Sequence, residues 1–102
     1  MRFQVIFTPE AEFQLKALYE YIAAEASPAT AKRFTDAIVE RCLNLNTMPH
    51  RGTPRDDIRR GLRTLSFRRR AMIVYTADAA QVAIIGVFYG GQDFEALIRE
   101  NE

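Results

Sequence analysis

Two stretches, AMIVY at residues 71–75 and VAIIGVF at residues 82–88, contain no charged or hydrogen-bonding side chain apart from one tyrosine hydroxyl. Both are dense in β-formers and have the length of strands. An antiparallel strand with one wet face alternates apolar and polar side chains, and these two do not. Met72, Val74, Val82, Ile84 and Phe88 share one parity, while Ile73, Tyr75, Ile85 and Val87 share the other. The sheet they enter therefore needs cover on both faces. Burying roughly four large apolar side chains contributes on the order of 6–12 kcal/mol, which is comparable to the net stability of a whole domain.

A third strand precedes these two, GLRTLSF at residues 61–67. Its Leu62 and Leu65 are three apart, which calls for either a bulge in that strand or a register that the spacing does not place. TADAAQ, residues 76–81, is a turn. The three strands, joined by short connections, form an antiparallel meander.

The N-terminal half supplies cover for one face. RFQVIF, residues 2–7, reads as a first strand. Thr8-Pro9 is a helix start, a capping hydroxyl followed by a proline whose fixed φ suits the first turn. Ala11, Leu15, Leu18 and Ile22 then recur at helical spacing. Ser27-Pro28 repeats the start signal, and Phe34, Ile38, Arg41 or Cys42, and Leu45 make a second amphipathic helix. So short a connection predicts an antiparallel helical hairpin. NTMPHRGTPRDD breaks regular structure, and the chain ends in a short helix around Phe94, Leu97 and Ile98. The expected fold is one α+β domain over residues 1–102: an N-terminal strand, the helical hairpin, the meander joining that strand in a four-stranded sheet, and a short C-terminal helix. The hairpin covers one face. For the other face two readings stand: the terminal helix folds back over it, or an apolar groove rimmed by arginine accepts a partner's amphipathic segment. The two are compatible.

Charge is uneven along the chain. The formal net charge is +1, yet residues 51–70 hold eight arginines against Asp56 and Asp57. Twelve of the fourteen basic residues are arginine, which favours bidentate contacts with carboxylate or phosphate. A basic run is either a solvated face or a working surface. On the second reading the candidate contact residues are Arg59, Arg60, Arg63, Arg68, Arg69, Arg70, Tyr75 and Tyr89. A charge reversal at Arg69 is expected to weaken binding and spare stability.

Several chemistries lack their residues. One histidine, His50, and one cysteine, Cys42, leave no HExxH or CxxC, so no metal or cofactor is expected. GVFYGG lacks the spacing of a dinucleotide loop. Cleavage of RNA by its own 2′-hydroxyl needs a base, an acid and positive charge at the phosphate; the arginines supply charge, and no base is evident. Cys42 falls in a helical pattern as a small buried hydrophobe. No signal peptide or membrane-length apolar run is recognised, and a cytoplasmic protein is expected.

With these residues in view, the chain resembles the RelE/ParE superfamily of bacterial toxins, and most closely its ParE branch. The resemblance rests on Pro49, Gly52, the Gly61-Leu62-Arg63 triplet, Ile73-Val74-Tyr75 and the Gly90/Asp93 ending. It rests also on FTPEAEFQLKALYEYI followed by SPATAKRFTDAI. The resemblance implies a toxin of a type II toxin–antitoxin system, held inactive in a hetero-oligomer by a ParD-like antitoxin whose acidic, amphipathic C-terminal segment wraps it. It implies DNA gyrase as the target and no catalytic residue. Two alternatives remain: the ribosome-dependent mRNA endoribonuclease activity of the RelE branch, and a toxin fold whose target is lost or altered. The nuclease branch usually carries an arginine where this chain has Met72, and a histidine or polar residue followed by an arginine where it has Tyr89 and Gln92.

Overall fold

The computed structural model describes residues 3–90 and 92–100. The elements run β1 (Gln4–Phe7), α1 (Pro9–Glu25), α2 (Pro28–Leu43), β2 (Thr53–Pro54), β3 (Leu62–Phe67), β4 (Ala71–Ala77), β5 (Gln81–Tyr89) and α3 (Phe94–Glu100), with a 3-10 turn at Asn44–Asn46.

The two hydroxyl-proline starts work as read. The Thr8 hydroxyl accepts from the Ala11 N–H at 3.2 Å, and the Ser27 hydroxyl accepts from the Thr30 N–H at 3.1 Å. Each cap satisfies an amide that the first turn leaves unpaired. Ala11 and Ala31, both fully buried, belong to the same core as Leu18, Ile22, Ile38 and Cys42. Their small side chains suit close packing there. Burial pushes the Cys42 thiol up to about 12, so the thiolate is absent at neutral pH. A thiol-alkylating reagent at about pH 8 should leave Cys42 unmodified in the native protein and label it fully in denaturant. Comparable labelling rates in both states would contradict this packing.

The sheet has five strands in the order β1-β5-β4-β3-β2, one more than expected. The added strand is the two-residue edge Thr53–Pro54, paired with Thr64 and Arg63. A proline is tolerated there because an edge strand need not donate on its outer side. β1 runs parallel to β5, from Gln4 opposite Gln81 to Phe7 opposite Ile84. The meander is antiparallel throughout.

The bulge lies in β5 and not in β3. β3 and β4 pair residue for residue from Leu62–Thr76 to Phe67–Ala71. Leu62 and Leu65 simply face opposite sides, the first in the cluster beneath α3 and the second against the helical hairpin. In β5 the partners of Val74 and Tyr75 are Gly86 and Ile84, which leaves Ile85 as the extra residue. Side chains change parity at that point. Val82 and Ile84 therefore join Ile73, Tyr75 and Val87 under the helices, while Met72, Val74, Ile85 and Phe88 face the other way.

β1 ends at Phe7, so the second half of β5 has no strand beside it on that edge. The start of α1 takes over. The Thr8 hydroxyl donates to the Ile85 carbonyl at 3.2 Å, and the Gln14 side-chain oxygen accepts from the Val87 N–H at 2.7 Å.

The second face is closed by the chain itself. Ile98 of α3 and Ile58 of the preceding loop pack with Leu62, Val74 and Phe88, and Phe94 joins them. Arg55 holds this cover: it donates to both Asp57 oxygens at 3.0 Å and to Glu95 of α3 at 2.7 Å, with Phe94 beneath its guanidinium at 5.9 Å. Of the two readings of this face, the fold-back of the terminal helix is the one adopted. Among the described residues Ile58, Phe94 and Ile98 stand over this face, where the other reading placed a groove rimmed by arginine.

The β4–β5 turn is tied by Asp78, whose carboxylate accepts from the Ala80 and Gln81 N–H groups at 2.9 and 2.8 Å. These bonds favour the charged form and hold its carboxyl below the usual carboxylate value. A depressed native pKa stabilises the fold above the unfolded value near ~4, and that stability is lost as pH falls through the native value. Asp78→Asn should flatten the acid limb of a stability–pH curve. An unchanged acid limb would show that Asp78 does not set it.

Candidate functional site

The eight candidate residues fall into separate environments. Tyr75 is fully buried. Its hydroxyl accepts from the Gly52 N–H at 2.8 Å, and burial pushes its phenol up, so it stays neutral. It has no surface to offer a partner, and the binding role expected of it gives way to an internal one. Arg63 is half-buried. One terminal nitrogen donates to the carbonyls of His50 at 3.0 Å and Gly52 at 2.7 Å. Tyr75 and Arg63 together fasten the loop that carries Pro49 and Gly52 against β3 and β4. No carboxylate is involved, because the loop's own carbonyls point at the strand.

Arg59 and Arg60 lie on the turn before β3, Arg59 half-buried and Arg60 exposed. Gly61 ends that turn at φ +81°, a conformation that favours glycine, and its N–H donates to Asp56 at 2.8 Å.

Arg68, Arg69 and Arg70 form the exposed tip of the β3–β4 hairpin. The Arg70 N–H donates to the Phe67 carbonyl at 3.0 Å, with Arg68 and Arg69 between them at φ 50° and 58°. The Arg68 guanidinium lies 4.8 Å from the Phe67 ring centre, and Arg41 of α2 lies 5.2 Å from the same ring. Sequence reasoning missed Arg41 at this surface, since its place in the helical pattern did not reveal its ring partner.

Tyr89 closes β5 in a chain of rings. Its centroid is 5.9 Å from Tyr21 and 5.8 Å from Phe34, and Phe34 meets Phe67 edge-on at 5.5 Å. The Tyr89 N–H donates to the Gln92 side-chain oxygen at 2.8 Å. Beside it opens a groove of about 900 Å³ between α1 and the unpaired end of β5, lined by Phe13, Ala17, Tyr21, Val87, Tyr89 and Leu97 among others. Phe13 is 73% exposed and Tyr21 54%. The sequence held a signal for it: Phe13, Ala17 and Tyr21, spaced by four, form a second apolar stripe on α1 beside the buried one.

Among the described residues no three His, Cys, Asp or Glu gather as a metal site would need, and no helix is long and apolar enough to cross a membrane. His50 is exposed.

A helical hairpin packed on a five-stranded mixed sheet is the fold that this chain shares with solved RelE/ParE toxin structures. The sequence pattern of the ParE toxin of type II toxin–antitoxin systems matches residues 5–94, and the chain belongs to that family. Among solved structures it is similar to a chain of the chromosomal ParDE system from P. aeruginosa, with a TM-score of 0.76 and 21% identity over 86% of this chain and 96% of that one. It is also similar to a chain of the RelBE2 toxin–antitoxin complex from Mycobacterium tuberculosis, with a TM-score of 0.65 and 25% identity over 88% of this chain and all of that one. A comparison with proteins of curated function returned no match.

Proposed function

We propose that this chain is a cytoplasmic gyrase-poisoning toxin that acts by binding and performs no bond chemistry, and that a ParD-like antitoxin neutralises it. The observation that carries this reading is the use of three positions. Where the RelE branch places groups for proton transfer and phosphate binding, this chain has Met72, Tyr89 and Gln92. Met72 packs on the cluster beneath α3, Tyr89 on Tyr21 and Phe34, and Gln92 caps the Tyr89 amide. All three are engaged in structure.

The antitoxin segment fits the groove beside α1. Apolar side chains of an amphipathic segment would cover Phe13, Tyr21 and Leu97, and its acidic residues would reach the arginines nearby. Arg70 is adjacent to the groove's end, since its carbonyl accepts from the Gly90 N–H at 3.0 Å. Arg59, Arg60, Arg68 and Arg69 extend the basic surface offered to antitoxin or target.

Purified protein added to gyrase and supercoiled plasmid should accumulate cleaved DNA, and the same protein added to translating ribosomes should leave mRNA intact. Ribosome-dependent mRNA cleavage without DNA cleavage would replace this reading with the endoribonuclease. Silence in both assays would mean a lost or altered target.

A further inference from the structure

The hairpin tip holds more positive charge than the fold requires. Arg41, Arg68, Arg69 and Arg70 make no ion pair among the described residues, although carboxylates engage Lys32 and Arg55 elsewhere. Two of the four are pre-positioned, because the guanidiniums of Arg41 and Arg68 both rest on Phe67. Stacking of this kind limits the rotamer freedom that a contact would otherwise have to freeze.

The turn itself points the same way. Arg68 and Arg69 occupy consecutive left-handed positions. Asn-Gly or Asp-Gly is the usual occupant of such a two-residue turn, and L-residues with long side chains are disfavoured at both positions. Arginine stands where glycine would fit with less strain, and an outlier of this kind motivates a functional reading.

We infer that Arg41, Arg68, Arg69 and Arg70 form a binding site for the phosphodiester backbone of a nucleic-acid duplex. Three features select this partner. None of the four arginines lines the groove beside α1 or the smaller one between β1 and the helices. A peptide needs concave apolar surface, whereas a dense polyanion binds through counterion release without it. Phe67, the ring on which two of the guanidiniums rest, is 2% exposed, so it offers no platform for the base stacking that single strands need. Guanidinium groups match phosphate bidentately, and contacts of this kind position without reading sequence. The site shares Arg68, Arg69 and Arg70 with the basic surface of the proposed function, and its test needs neither gyrase nor antitoxin.

The test is an anisotropy titration of the full chain, without gyrase, against labelled probes of about 20 units: a DNA duplex, an RNA duplex, single-stranded DNA and polyglutamate. Salt is varied from about 50 to about 200 mM. Each neutralised phosphate adds about −0.9 to the slope of log affinity against log salt, so up to four contacts give a slope of about −3 to −4 and a loss on the order of 100-fold over that range. The double variant Arg69→Gln/Arg70→Gln should reduce the slope by about 2. Lys16→Gln/Arg99→Gln removes the same charge from exposed positions on α1 and α3 and should leave the slope unchanged. Equal binding of both duplexes is expected from backbone contacts, and a preference for one identifies the natural source. Four results overturn the inference: no duplex binding at the lowest salt, equal loss in both double variants, tighter binding of the single strand, or polyglutamate binding as tight as the duplex.

Discussion

Replacing Gly52 by alanine will lower the unfolding free energy by about 3 kcal/mol. A Cβ at that position would sit 2.7 Å from the Tyr75 hydroxyl oxygen and 2.8 Å from the Thr64 carbonyl oxygen. The carbonyl belongs to the β3 backbone and cannot rotate away. If Tyr75 moves instead, the Gly52 N–H loses its buried acceptor, and the phenol loses its place in the core under the helices. Arg63 would follow, because one of its two acceptors is the Gly52 carbonyl. The expected loss corresponds to a fall of roughly 12–24 °C in Tm at about 4–8 °C per kcal/mol. Gly61→Ala is the informative comparison. A Cβ there meets nothing within 4 Å, and only its φ of +81° resists the change. It should cost about 1 kcal/mol, and Gly61→Asn less. A Gly52→Ala protein that melts within a few degrees of wild type would show that Tyr75 and Arg63 do not hold the loop as described.

That pair of glycines illustrates what the sequence reveals and what it hides. Gly61 is legible as a turn from its neighbours. Gly52 is not, because its requirement comes from a tyrosine 23 positions away. The helices and the meander were readable because caps and periodicities are local. The parity of β5 was not, because Ile85 bulges where β1 gives way to Thr8 and Gln14, and nothing within VAIIGVF records that. Double-sided apolarity implied two covers and left the second open between the terminal helix and a partner; α3 supplies it with Ile58. The arginine run was visible, but its division was not. Which guanidinium turns inward to a carbonyl, as Arg63 does, or rests on a ring, as Arg68 does, depends on the hairpin geometry around it.

α3 carries the second large effect, because adjacent residues on it face different surfaces. Ile98 is 3% exposed in the cluster with Leu62, Val74 and Phe88, whereas Leu97 is 36% exposed and lines the groove beside α1. Ile98→Ala removes a fully packed side chain and should cost about 2–4 kcal/mol. A helix of seven residues does not hold itself together in water, so much of that loss should appear as release of α3. Apolar dye binding should rise at concentrations where the wild type shows none, with self-association following from the uncovered Leu62, Val74 and Phe88. Leu97→Ala should leave stability within about 0.5 kcal/mol and weaken the capture of an antitoxin segment, since only the groove loses surface. Weakening the Arg55–Glu95 contact should act like a milder Ile98 change, because both anchor the same helix. If Ile98→Ala melts like wild type and binds no dye, α3 is not the cover of the second face. The apolar parity of β4 and β5 would then again call for another polypeptide.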